Sequence, residues 1–238
     1  MAFVPDISIR RLEPELMDDP ALPAQEHEAA LRGLRLLNRA SRTARSLWGA
    51  IRGLLAVPGH PPIRILDVAT GDGDVPLALQ RLAARSGTPV QVDGCDLSQR
   101  AIEIAASRAV AANVSCRFFR ADAIEGALPS DYDVVMCSLF LHHLTDEDAT
   151  EVLYKMKAAA RRLVLVSDLR RTRIGYGLAY AASRVMSRSR VVRNDALLSV
   201  RAAWTMDEFR AMAHEAGMDG AAIRCVWPQR LFLEWTRP

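Results

Sequence analysis

Apolar and polar positions change period several times along this chain. Between Ala24 and Val57, Glu28, Leu31, Leu34, Leu36 and Leu37 fall at helical spacing, and Leu47, Trp48, Ile51, Leu54 and Leu55 do so again. That periodicity predicts two helices. Gly59-His60-Pro61-Pro62 then breaks the chain. From Ile63 short apolar runs alternate with helical patterns. They predict strand Ile63–Val68, helix Val75–Arg85, strand Val90–Cys95, helix Gln99–Ala112, strands Val114–Arg120 and Asp133–Leu139, helix Asp146–Ala160 and strand Arg162–Ser167. Strand and helix in alternation imply an α/β fold, a parallel sheet with crossover helices on both faces.

After Asp168 the alternation stops. Ile174 to Met186 reads as a helix, with Tyr176, Tyr180 and Ala181 as inward candidates, and a polar, arginine-bearing connection follows. Thr205-Met206-Asp207-Glu208 is a capping box that opens a helix ending near Gly217. Two closing strands, Ala221–Trp227 and Leu231–Trp235, are joined by Pro228-Gln229-Arg230. The chain divides into an N-terminal helical cap segment, 1–61, and a main domain, 62–238, with an insertion at about 170–204.

The most informative local pattern is Ile65-Leu66-Asp67-Val68-Ala69-Thr70-Gly71-Asp72-Gly73-Asp74-Val75-Pro76. An apolar strand ends in an acid, passes through a glycine turn and enters a helix. Gly71 and Gly73 allow close backbone approach to a ligand, and the helix presents unpaired N–H groups to whatever sits there. A dinucleotide fingerprint requires a third glycine where Pro76 stands. Further acids follow apolar runs: Asp96-Leu97-Ser98 after the second and Arg120-Ala121-Asp122-Ala123 after the third. An acid at the Asp96 position suits ribose hydroxyls, because a carboxylate accepts both protons.

The spacing Asp67-x-Ala69-x-Gly71-x-Gly73 resembles the first motif of class I S-adenosylmethionine-dependent methyltransferases, with alanine replacing the family's usual first glycine. The runs ending at Asp96, Asp122 and Ser138 resemble the family's next three motifs, in order. The resemblance implies a Rossmann-like, mostly parallel seven-stranded sheet with an antiparallel final strand, and S-adenosyl-L-methionine as cofactor. It implies a cofactor site formed by Asp67, Ala69, Thr70, Gly71, Gly73, Asp96, Leu97, Asp122, Ala123 and Cys137. In it Gly71 and Gly73 hold the methionine end, Asp67 anchors the loop or the amino group, Asp96 takes the ribose, and Leu97 and Asp122 the adenine. The insertion after the fifth strand is where many small-molecule members carry part of a substrate lid. Pro14-Glu15-Leu16-Met17-Asp18-Asp19-Pro20 and Val166-Ser167-Asp168-Leu169-Arg170-Arg171 look like a bacterial subgroup often encoded near polyketide-type enzymes.

The reactive candidates are His142 and His143, just beyond the fourth strand, and Asp168 at the end of the fifth. In the family's strand order those two strands are neighbours, which brings Asp168 to the histidines. A histidine oriented by a carboxylate is a general base. Similar positions occur in natural-product O-methyltransferases acting on sugars and phenols. One of the two histidines is expected to be structural, with His142 favoured as the base. No acid stands at Cys137-Ser138 for a magnesium-type mechanism, and no metal is expected.

Composition limits the alternatives. The chain has 238 residues, half of them apolar, enough for one sizeable core. No apolar stretch is long enough to span a bilayer, and Met1-Ala2-Phe3-Val4-Pro5-Asp6 lacks a secretory pattern. Cys95, Cys116, Cys137 and Cys225 lie far apart, each inside a predicted strand. They read as buried hydrophobes of a reducing, cytoplasmic setting. The net charge is +3, almost all of the basic charge being arginine. Arg170-Arg171-x-Arg173 and the scattered Arg184, Arg188, Arg190, Arg193 and Arg201 are too sparse for nucleic acid and read as solvated or substrate-facing. The expected function is methylation of a small-molecule acceptor, foremost O-methylation of a phenolic or polyketide-derived compound. A C-methyltransferase of a quinone-like precursor, an RNA methyltransferase and a non-catalytic cofactor-binding protein are the alternatives.

Overall fold

The computed structural model describes residues 6–18, 21–54 and 62–238. The expectations placed on Met1–Pro5, on Asp19-Pro20, on Leu55 and on the Gly59-His60-Pro61 break lie outside the described residues, as do the side chains of Glu28, Leu34 and Leu37. Two N-terminal helices, α1 (Ala24–Ala40) and α2 (Thr43–Gly53), precede the sheet. Then come β1 (Ile63–Val68), α3 (Asp74–Arg85), β2 (Val90–Asp96), α4 (Gln99–Ala111), β3 (Phe118–Arg120), β4 (Tyr132–Ser138), α5 (Asp146–Ala159) and β5 (Ala160–Leu169). The chain closes with α6 (Arg173–Met186), α7 (Arg190–Ala202), α8 (Met206–Glu215), β6 (Ala222–Val226) and β7 (Arg230–Thr236).

The seven strands lie in the order β3-β2-β1-β4-β5-β7-β6. β7 runs antiparallel to both of its neighbours, and the other six strands share one direction. Both faces are covered, so the central strands are apolar throughout while side chains still alternate between two cores. Ile63, Ile65, Val134, Met136, Leu163 and Leu165 pack toward Leu47, Trp48 and Ile51 of α2 and Leu79 of α3. Leu66, Val68, Val135, Cys137, Val164 and Val166 pack toward Leu153 and Met156 of α5 and Phe209 of α8. The chain reverses strand order at β1, between β2 and β4. Ligands of such sheets bind outside the carboxyl ends of the strands at that point.

Three local expectations are corrected. The third strand is short: residues 114–117 precede it, and only Phe118–Arg120 pair, against Gly94–Asp96 of β2. Cys116 therefore lies outside a strand and is half-buried, and Cys225 is exposed on the edge strand β6. The connection after α6 is itself a helix, α7, whose N-cap Ser189 accepts a hydrogen bond from the Val192 N–H. Its inward face carries Asp195 and Ser199 among Val191, Val192 and Val200, and the polar pair conceals the helical stripe.

Candidate active site

The turn from β1 to α3 is built from left-handed residues. Ala69, Gly71 and Gly73 have φ of 53°, 56° and 75°. At Gly71 a Cβ would meet nothing within 4 Å, so the position leaves open space beside the backbone. At Gly73 it would come within 2.9 Å of the Phe118 ring, so that glycine serves packing as well as conformation. Ala69 adopts the same region without that freedom, a conformation uncommon for non-glycine residues. The neighbouring acids hold the turn. Thr70 Oγ1 donates to Asp67 Oδ2 at 2.8 Å, and the Gly71 N–H donates to Asp96 Oδ2 at 2.8 Å. Asp96 Oδ1 accepts from the Ser98 N–H at 2.9 Å. Burial raises the Asp67 carboxyl to about 7, and its Oδ1 has no hydrogen-bond partner among the described residues. Asp72, buried at the start of α3, pairs with Arg35 at 2.6 Å and Arg108 at 2.7 Å, tying α1 and α4 to the turn.

At the ends of β4 and β5 the expected pair forms. The parallel register sets Ser138 beside Ser167, and a one-turn 3₁₀ helix, Leu141–His143, carries the histidines back over Asp168. His142 Nδ1 lies 2.6 Å from Asp168 Oδ1, and its backbone N–H donates to Asp168 Oδ2 at 3.3 Å. The Leu169 N–H donates to Oδ1 at 2.6 Å. Both side chains are buried. Burial works against charge on each, but the mutual attraction and hydrogen bond prevail: His142 is raised above the usual histidine value and Asp168 lowered. With Nδ1 facing the carboxylate, Nε2 carries the lone pair. Burial, then the neighbouring His142, hold His143 down to about 3. The two rings are 4.2 Å apart, and His143 Nδ1 is 3.8 Å from Glu15.

A cavity of about 610 Å³ joins the two features. Of the expected site residues, Ala69, Thr70, Gly71, Asp96, His142 and His143 line it. Asp67 and Asp168 stand behind that wall, each bonded to a lining residue. Gly73, Leu97, Asp122, Ala123 and Cys137 do not line it. Leu97 is exposed, Asp122 caps its own turn by accepting from the Ile124 and Glu125 N–H groups, and Ala123 and Cys137 are in the core. The far end is mostly apolar, with Met17, Leu31, Leu178, Ala182, Met186 and Val200.

The sequence reading missed two polar residues there. Arg230 is buried, donates to Ser41 Oγ at 3.0 Å, and is lowered to about 10 by burial despite the charge of Asp168. Glu15 accepts a hydrogen bond from Ser199 Oγ. It arrives on an N-terminal strap, pinned where the Leu16 and Met17 N–H groups each donate to Asp195 at 3.0 Å. Arg10 clamps the same strap to the histidine turn, donating to Leu144 O at 2.6 Å and His142 O at 3.3 Å. Ligand atoms of Glu15, His142 and His143 lie within 4.8 Å of one another. A cation there would compete for the His142 nitrogen that Asp168 leaves available.

A glycine turn at the switch point of a doubly wound α/β sheet is where such folds bind their ligand. Residues 65–162 match the family model described as a methyltransferase domain. The chain is 31% identical over 147 residues to the demethylmenaquinone methyltransferase of Thermus thermophilus, a match covering 61% of this chain and 65% of that protein. It thus spans just under two thirds of that relative's length. Its fold is similar to magnesium protoporphyrin IX methyltransferase from Synechocystis, solved with bound SAH (TM-score 0.58, 19% identity, 92% of this chain and 90% of that one). It is also similar to an O-methyltransferase family 2 protein from Planctomyces limnophilus in complex with apigenin (TM-score 0.60, 16% identity, 92% and 63%). Residues 65–162 are thus similar to a methyltransferase domain, and the chain shares its fold with a methyltransferase solved with bound SAH.

Proposed function

We propose that this protein methylates the hydroxyl of a small phenolic or polyketide-derived acceptor, with His142 as general base and Asp168 as its orienting partner. The observation that carries this reading is the 2.6 Å His142–Asp168 pair at one end of a cavity whose other end is the glycine turn. The turn fits the cofactor on two counts: Gly71 leaves open space where a Cβ would project, and Asp67 Oδ1 is a buried acceptor with no partner. When bound, S-adenosylmethionine supplies an activated methyl group on a sulfonium.

In this reading Ala69, Thr70, Gly71 and Gly73 hold the methionine end, and Asp67 secures the loop or the amino group. Asp96 takes the ribose hydroxyls, Leu97 and Asp122 flank the adenine, and Ala123 and Cys137 pack behind. His142 Nε2 removes the acceptor's proton while Asp168 stabilises the imidazolium. A phenol of pKa about 10 is mostly un-ionised at neutral pH, so a positioned base is worth roughly 10²–10⁴ in rate. His143, held neutral, packs beside the base. The N-terminal strap and helices with the 170–204 insertion form the lid, and their apolar lining favours an aromatic acceptor over a polymer. Apigenin, the compound bound to the Planctomyces limnophilus protein, is a small molecule of the proposed acceptor type. The free cysteines support a reducing, cytoplasmic setting.

A second reading, methylation of a quinone-like ring, is favoured by the relative named for demethylmenaquinone. The test is transfer from S-(deuteromethyl)adenosylmethionine into phenols, resorcinols and quinone precursors, with RNA in parallel, read by mass spectrometry. A labelled aryl ether is the expected product. Label confined to ring carbon supports the second reading, and label in RNA alone removes both. Cofactor binding without transfer to any acceptor leaves a non-catalytic binding protein.

A further inference from the structure

Helix α6 is apolar on two sides. Its inner side turns Ala179, Ala182 and Met186 to the cavity. Its outer side carries Ile174, Ala181 and Val185, spaced seven and four residues apart along one stripe of the helix, with Leu178 at its border also lining the cavity. All four are exposed, Ile174 by 67% and Val185 by 86%. A single exposed aliphatic residue is ordinary. A helix apolar all round is a buried helix, and among the described residues this one has cover on one side only.

Along this segment the charge has one sign, Asp6 being an acid from outside it that lies near Arg173. Between Asp168 and Asp195 the chain holds seven arginines and neither Asp nor Glu. Arg171 is buried against Glu208. Arg173, Arg184, Arg188 and Arg190 are exposed around the stripe. Arg184 also stacks on the Tyr180 ring at 3.4 Å. An exposed apolar stripe bordered by arginine suits the boundary between anionic headgroups and acyl chains.

We propose that the outer face of α6 docks on an anionic lipid bilayer, with the helix lying in the plane of the interface and the lid facing the membrane. No helix among the described residues is long and apolar enough to cross a membrane, so the attachment is peripheral. Charge decides against a second copy of this chain: a two-fold pairing of the stripe would set its arginines against their own symmetry mates. Nucleic acid would use the arginines but gain nothing from aliphatic side chains, and the stripe offers it no stacking platform. The proposal is independent of methyl transfer and needs only the lid.

The test is flotation of the full chain with phosphatidylcholine vesicles, with and without phosphatidylglycerol, across a salt series. Recovery with the anionic vesicles alone, falling as salt rises, is expected. I174S/V185S, both outside the cavity wall, should lower the partition coefficient about tenfold through lost apolar insertion. R188E should lower it at least about fivefold through lost attraction. Circular dichroism checks that each variant folds. Cofactor binding, measured by calorimetry on the same preparations, should be unchanged in all of them, which separates failure of docking from failure of the methyltransferase reading. Absence of anionic-vesicle recovery overturns the proposal, as does recovery indifferent to both variants. Retention of RNA without vesicle binding also overturns it and assigns the arginines to nucleic acid.

Discussion

At the scale of single residues the proposed chemistry turns on two buried carboxyls with opposite perturbations. Asp168 is lowered because burial is outweighed by His142 and the Leu169 N–H. Its partner His142 is raised above 6.5 although burial opposes that. A base must be unprotonated to act, so turnover should rise with pH through an apparent pKa above 6.5. Asp168→Asn removes the attraction and leaves burial dominant. The limb should then move to lower pH, and the plateau should fall by about 10² or more, with cofactor affinity unchanged by calorimetry. An unmoved limb and plateau would remove the dyad from the mechanism.

Asp67 behaves in the opposite sense, raised from 3.8 to about 7 by burial. The unfolded chain gives up this proton near 3.8, whereas the folded protein keeps it until about 7. This group's contribution to stability is therefore complete below pH 3.8 and is lost as pH rises through 7. Asp67→Asn should flatten that slope in denaturant melts taken across the interval. Both acids stand out in the sequence, as the last polar residue of an apolar strand and as a partner to a histidine pair. Their ionisation is not legible there, because it depends on what encloses them.

At the scale of elements, local signals served well where one segment carries its own information. The Thr205 capping box forms with both of its hydrogen bonds, and the ends of α3 and α5 fall within a residue of expectation. Helix α7 was illegible because Asp195 and Ser199 interrupt its apolar stripe. Their partners, Leu16, Met17 and Glu15, lie far away on the strap. Asp195→Ala should strand two N–H groups at the strap and cost about 1–3 kcal/mol, measured in urea. Because Glu15 and Met17 line the proposed acceptor end of the cavity, the acceptor KM should rise while cofactor affinity holds. The reverse pattern would mean that the strap belongs to the cofactor site.

At the scale of the whole molecule, the proposed cofactor turn should couple ligand to stability. S-adenosylhomocysteine at a hundredfold its Kd should stabilise the protein by about 2.7 kcal/mol. Asp96→Ala should largely abolish that gain at the same ligand concentration while the unliganded protein still melts cooperatively. A full thermal shift in the variant would refute the assignment of Asp96 to the ribose.

The sequence by itself determined what neighbouring residues settle among themselves: strand, glycine turn and helix at Asp67–Val75, the alternation that makes a parallel sheet, and the helix caps. Dihedral preference, periodicity and capping act over a few positions, so they are written in a few positions. Strand order extends that reach, since it sets β4 beside β5 and so brings Asp168 to His142 across 26 residues. Tertiary structure alone decided which of the two histidines faces the carboxylate, that Arg230 and Glu15 share the cavity, and that Leu97, Asp122 and Cys137 stand outside its wall. Those outcomes depend on where a lid, a strap and an antiparallel strand come to rest. That placement is a sum of many weak contacts between distant segments, and no single stretch of chain carries it.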